Sequence, residues 1–161
     1  MIGGTMAFGD RGVRALVTLH ERELRAFASA WREARAKGVA LPATDDPDYE
    51  SMETLLHHIL RASRGYLTWI CEVLGRPDPG VPPAPEADAV EAEANSYIHN
   101  LCEAWRTHMA WMPREVADSP ASYLSRWKHP YTIDAMLEHA VVHPMRHRFQ
   151  LEELIGAPAR F

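Results

Sequence analysis

His143 and His147 stand four residues apart near the C-terminal end of this 161-residue chain. On an α-helix their imidazoles project from one face and can converge on a single metal ion. Histidine-rich helices offer such pairs by chance, and His139 makes a second one with His143. Position gives the first pair its weight. Ile133, Met136, Leu137, Ala140, Leu151 and Leu154 recur with it at helical spacing, so both rings fall in a stripe that must otherwise bury apolar side chains. Imidazoles there have to be hydrogen-bonded or coordinated, because burying them bare is costly.

A third imidazole comes from LLHHIL. At about 100° per residue, His58 falls beside Leu55, Ala62 and Trp69 on the inward flank of its helix, whereas His57 falls near the back and is expected in solvent. With His58 added, three nitrogens would face one point. Three protein ligands leave an open place for water or substrate, the arrangement of a catalytic metal rather than a closed structural one. Zinc or nickel suits such a donor set best, with iron, manganese and copper compatible and oxygen-seeking calcium and magnesium poor fits. HExxH does not occur, no Glu lies three residues before a His as in di-iron bundles, and GxSxG, P-loop and GxGxxG patterns are missing. No carboxylate is paired with the histidines by spacing, so the sequence shows no general base. His20 and His108 lie on other inward stripes and read as packed core histidines.

These residues need helices to hold them. Val13, Leu16, Val17, Leu24, Phe27, Ala28 and Trp31 predict a first amphipathic helix from about Asp10 to Lys37, stopped by Gly38. The acidic segment LPATDDPDYES follows, with Asp48 or Ser51 as the cap of a second helix that ends at Gly75. Its stripe is Met52, Leu55, Leu56, Ile59, Tyr66, Ile70 and Leu74. Arg76 to Pro85, with five prolines and a glycine, cannot be helical and reads as a crossover rather than a domain linker, since neither side alone could close a core. A third helix is expected from about Pro85 to Met112. The segment 113–130, with Tyr123 and Trp127, is irregular and long enough to cover one end of the molecule. A last helix runs from the cap residue Thr132 to Gly156, with Pro158 beyond it. No alternating strand pattern is visible. The fold class expected is all-α, an antiparallel four-helix bundle with long crossover loops, in a single domain over 1–161.

Composition narrows the partners. Twenty-two acidic residues against 17 basic ones, with no basic block, exclude a nucleic-acid surface. No stretch approaches the length of apolar residues that crosses a bilayer, and residues 1–10 lack the features of a signal peptide and read as a flexible tail. Cys71 and Cys102 are too few for a disulfide framework or zinc ribbon and read as small core fillers; a reducing cytoplasm is the expected compartment.

LLHHIL, followed eight residues after His58 by Tyr66 and Leu67, and TIDAMLEHAVVHPMRHRFQLEEL together resemble the DinB-like, or YfiT-like, superfamily of metal-binding four-helix bundles. In that family's last helix a histidine and then HxxxH run into an HRGQ signature, which stands here as His147, Arg148, Phe149, Gln150. The resemblance extends from the second helix to the C-terminus and rests on these two short motifs. It implies that His58, His143 and His147 are the three ligands and that the protein is a homodimer. Two positions depart from the pattern: Phe149 replaces a glycine, and Pro144 removes a hydrogen bond to the Ala140 carbonyl, which predicts a kink. His139, Gln150 and Arg148 are candidates to support the ligands from behind, and Tyr66, Trp69 and Trp105 to wall a pocket over the metal.

The function expected is that of a metal-dependent enzyme acting on a small molecule. The resemblance implies thiol-dependent S-transfer or isomerisation with a low-molecular-weight thiol such as mycothiol or bacillithiol; hydrolysis is the other chemistry open to such a site. The alternatives are a metal- or ligand-binding bundle without turnover, and a structural dimeric bundle whose histidines only pack.

Overall fold

The computed structural model describes residues 7–156. Four long helices dominate it: α1 (Arg11–Ala36), α2 (Met52–Val73), α3 (Val90–Met109) and, after a single short turn of helix α4 (Arg114–Ala117), α5 (Ile133–Gly156). Among the described residues the fold is all-α apart from one two-stranded ribbon. α1 packs most extensively on α5, and α2 lies against both α3 and α5, so the two histidine-bearing helices are neighbours. A single core runs between them, with Trp31, Trp105, Phe27, Leu24, Ile59, Leu67 and Met109 among its fully buried side chains. Among the described residues no helix is long and apolar enough to cross a membrane.

The helix limits follow local chemistry. Asp10 caps α1 by accepting from the backbone N–H groups of Gly12 and Val13 at 2.7 and 3.0 Å. Ser51, not Asp48, caps α2, in a reciprocal box with Thr54. Gly38 and Gly75 stop α1 and α2 at φ of 65° and 63°, a left-handed turn that a side chain would oppose. The flexible tail expected over 1–10 is in place by Gly9, whose N–H donates to the Ala110 carbonyl; residues 1–6 lie outside the described residues, as does Pro158.

Several expectations are corrected. α3 begins at Val90 rather than Pro85, because residues 86–89 form a turn whose Glu86 carbonyl takes the N–H groups of Ala89 and Val90. It ends at Met109, before Met112. The Thr132 hydroxyl goes to the Asp134 carboxylate instead of capping α5, although its carbonyl accepts the helix bond from Met136. Within 113–130 the chain makes a small hairpin, β1 (Tyr123–Leu124) antiparallel to β2 (Pro130–Tyr131). The two-residue strands are too short to show alternation. Lys128 takes a φ of 66° at the turn, and Ser125 closes it by exchanging bonds with His129. α5 is one helix on both sides of Pro144, which is buried and cannot donate to the Ala140 carbonyl. Phe149 is 49% exposed and lies under the Arg148 guanidinium, so nothing packs where a glycine would allow close approach.

The proline-rich crossover is held by its carbonyls, the one backbone group proline keeps. Arg64 donates to Val81 at 2.8 Å, Tyr97 to Pro82 at 2.8 Å and His57 to Pro85 at 2.7 Å. His57 is therefore half-buried and bonded, not solvated as expected from its place on the helix. His108 is only half-buried, and Met109 takes the core position beside it.

His20 is fully buried, bonded to the Ser63 hydroxyl at 2.7 Å and packed on the Trp105 ring. Burial drives its pKa down to about 4. Above pH 6.5 the ring is neutral folded or unfolded and has no effect. Below that, the unfolded chain takes up a proton that the folded one refuses, so stability falls by up to about 3 kcal/mol as the pH drops toward 4. His20→Gln removes this contribution: between pH 7 and about 4.5 the wild type should lose about 2 to 3 kcal/mol more than the variant in urea unfolding. Equal losses would show that His20 does not titrate this way.

Candidate metal centre

α5 places His143 and His147 one turn apart on its buried face, and α2 brings His58 opposite them. The rings meet nearly edge to face, with centroids 4.9 Å apart for His58 and His143, 5.0 Å for His143 and His147, and 5.7 Å for His58 and His147. One nitrogen from each lies within 4.8 Å of the others, so the three could hold a metal ion. His20 is elsewhere in the core and His57 faces the crossover.

Partners behind the rings decide which nitrogen is free. His58 Nδ1 lies 2.9 Å from Asp48 Oδ2, and His147 Nδ1 lies 2.8 Å from Gln150 Oε1. Both acceptors call for a proton on Nδ1, which leaves each Nε2 with a bare lone pair. The Nε2 atoms of His58 and His143 are 3.1 Å apart. His147 Nε2 is buried with no partner among the described residues. A metal ion would satisfy that orphan and separate the other two lone pairs, so the donor set fits one.

The electrostatics favour neutral rings, the form that binds metal. Burial drives the His143 pKa down to about 2, helped by the neighbouring histidines and Arg146. Burial and Arg146 bring His147 to about 4. For His58, burial outweighs the pull of Asp48 and the net shift is again downward. The Asp48 contact is thus a hydrogen bond from a neutral imidazole, while the charge of Asp48 is met by Arg61 at 2.8 and 3.0 Å.

Two residues of the loop before α2 were not legible as site residues. A 3-10 turn over Pro47–Tyr49 carries both. Asp48 holds His58, and the Tyr49 hydroxyl lies 3.4 Å from His58 Nε2 with its ring beside both His58 and His147. Burial raises the Tyr49 pKa, so the phenol keeps its proton. The sequence held one clue: it offered two cap residues for one helix start, and Ser51 took the role.

Gln150 supports His147 as expected, but Arg148 turns away and pairs with Glu23 of α1 and Glu152. His139 is not in the cluster. It stacks on Tyr66 at 5.3 Å, with the Tyr131 hydroxyl 3.4 Å from its Nδ1. Tyr66 and Trp69 do line a cavity, of about 1250 Å³, that opens on His58 and His143. Trp105 does not; it is buried and donates to the Ser63 carbonyl. The hairpin closes the aromatic wall, with Trp127 and Tyr131 edge-on to Trp69 at 6.4 and 5.7 Å. A second cavity of about 490 Å³ reaches His147 from the side of Leu41 and Leu151, and Tyr49 and Arg146 border both. Cys71 and Cys102 are free, buried and outside both cavities.

Comparison of the chain with protein-family models, curated proteins and solved structures finds no match. The site's chemistry therefore rests on its own geometry. Asp48→Ala should weaken zinc binding about 10- to 100-fold in competition with a chelator, with helix content unchanged by circular dichroism. Unchanged affinity would mean that Asp48 serves only Arg61.

Proposed function

We propose that the protein is a metal-dependent enzyme of the DinB-like superfamily, an antiparallel four-helix bundle that binds zinc or nickel through His58, His143 and His147. The observation that carries this reading is the buried, unpartnered Nε2 of His147 beside the donor nitrogens of the other two rings. His20 Nδ1 and Trp111 Nε1 are also buried without partners among the described residues, so the weight lies on the convergence of three donor nitrogens within 4.8 Å. The two histidine motifs and the four long helices with long connections support the family assignment.

A bound zinc or nickel ion supplies Lewis acidity, enough to polarise a substrate oxygen or to keep a thiol deprotonated. The chain's own residues do the rest. Asp48 and Gln150 hold two of the rings by Nδ1 and so present Nε2 inward. Tyr49 keeps its proton beside the cluster and can donate it to an oxygen on which negative charge develops. The aromatic wall of Tyr66, Trp69 and Trp127 lines the approach to the rings. Two cavities that border the same cluster suit a reaction of two molecules, which favours thiol-dependent S-transfer or isomerisation over hydrolysis. The co-substrate would be a low-molecular-weight thiol such as mycothiol or bacillithiol. The resemblance also supports a homodimer, which light scattering at micromolar concentration tests: twice the chain mass is expected, and the chain mass alone rejects it.

Protein purified without a metal-affinity column should carry close to one zinc or nickel ion per chain. His147→Ala should lose most of that metal and the rise in Tm on adding it, while His129→Ala, an exposed position on the hairpin, should lose neither. Equal metal content in the two variants would defeat the triad. Thiol-dependent loss of an electrophile such as monochlorobimane, faster with metal than without, is the result expected of the enzyme; full metal loading with no turnover of thiol and electrophile would leave a binding protein instead.

A further inference from the structure

We propose that Arg146 is the anchor of a carboxylate subsite, and that the molecule handled beside the three histidines is an anion with a planar aromatic or conjugated body. This deepens the enzyme reading by naming its substrate class, and it rests on that reading only for what happens after binding. The subsite itself needs no metal.

Arg146 precedes His147 on α5 and lines both cavities, one with His147 and the other with His58 and His143. Among the described residues it has no ion pair and no side-chain hydrogen bond. Three neighbouring arginines are engaged, while Arg126 of the larger cavity, like Arg146, has no ion pair or side-chain hydrogen bond among the described residues. Arg61 is bidentate on Asp48, Arg64 donates to the Val81 carbonyl, and Arg148 is clamped between Glu23 and Glu152. The larger cavity has one lining carboxylate, Glu72, against Arg61, Arg64, Arg126 and Arg146. A cation left without a counter-charge at the mouth of a metal-type site is placed to attract and orient an anion.

Two features select among anions. The guanidinium of Arg146 presents a planar fork that matches a carboxylate. The wall across the cavity is aromatic: Tyr66 stacked with His139 at 29° between planes, then Trp69 and Trp127. Such a wall favours a flat, unsaturated body over an aliphatic one.

Calorimetric titration with cinnamate, and with the uncharged isostere cinnamamide, tests the assignment on the protein as purified and after treatment with a chelator. Cinnamate should bind at least tenfold more tightly than cinnamamide in both preparations. Arg146→Gln should remove that preference, and Arg146→Lys should keep part of it. Cinnamamide should bind the wild type and Arg146→Gln alike, which shows that the exposed substitution leaves the cavity intact. Cinnamate binding unaltered in Arg146→Gln, no preference over the amide, or no saturable binding of cinnamate would each overturn the proposal. Preference lost on chelation alone, with Arg146→Gln silent, would place the carboxylate on the metal and overturn it too. Failure of the metal reading is separate, since it shows as a metal-free protein whose carboxylate preference persists.

Discussion

Desolvation of three imidazoles in the interior of a helical protein is the constraint on which the rest of the structure depends. A leucine in place of His143 or His147 would add to the core at no polar cost; a buried imidazole gives up hydration at both nitrogens and is stabilised where a partner replaces it. The chain answers the Nδ1 atoms of His58 and His147 with Asp48 and Gln150, and turns the remaining nitrogens toward one another. Each answer then makes a further demand. Asp48 needs a counter-charge, which Arg61 supplies, and the acidic loop must be ordered to bring it there, which the 3-10 turn and the Ser51 cap achieve.

Convergence also requires that α2 and α5 hold their relative position, and the surrounding elements serve that end. α1 lies along α5 and is tied to it by Arg148 and Glu23. The crossover from α2 to α3 could not contribute backbone donors at its prolines, so three side chains of α2 and α3 clasp its carbonyls instead. The polar His20 and Ser63 pair joins α1 to α2 deep in the core. These contacts make the metal-type cluster an outcome of packing across four helices rather than of the loops alone.

The chemistry at the cluster is graded from a buried polar point to an aromatic and cationic surface. Close to the rings, neutral imidazoles and a protonated phenol offer lone pairs and one proton. Farther out, the hairpin sets Trp127 and Tyr131 against Trp69, and Arg146 carries the charge that the histidines have been prevented from carrying. Neutral rings offer lone pairs that could hold a metal ion without competition from a proton at neutral pH.

Much of this was legible in the residues. Amphipathic periodicity is a local signal, so the four long helices, the stops at Gly38 and Gly75 and the inward placing of His58, His143 and His147 could be read directly: a residue's angle on its own helix fixes which way it faces. The same argument failed where a neighbour decided the outcome. His57 was turned outward by its angle, yet the Pro85 carbonyl 28 residues on arrives to bind it. His108 was turned inward, yet Met109 took the core position. Asp48, Tyr49 and Arg146 carry no periodic signature, since two belong to a loop and the third lies on the exposed side of a helix. Their roles exist only because α2, α5 and the loop before α2 come together. Side-chain direction along a helix is set by 3.6 residues per turn and so is written in the sequence; which carboxylate, phenol or guanidinium meets a given ring depends on contacts between distant segments, and only the tertiary structure decides those.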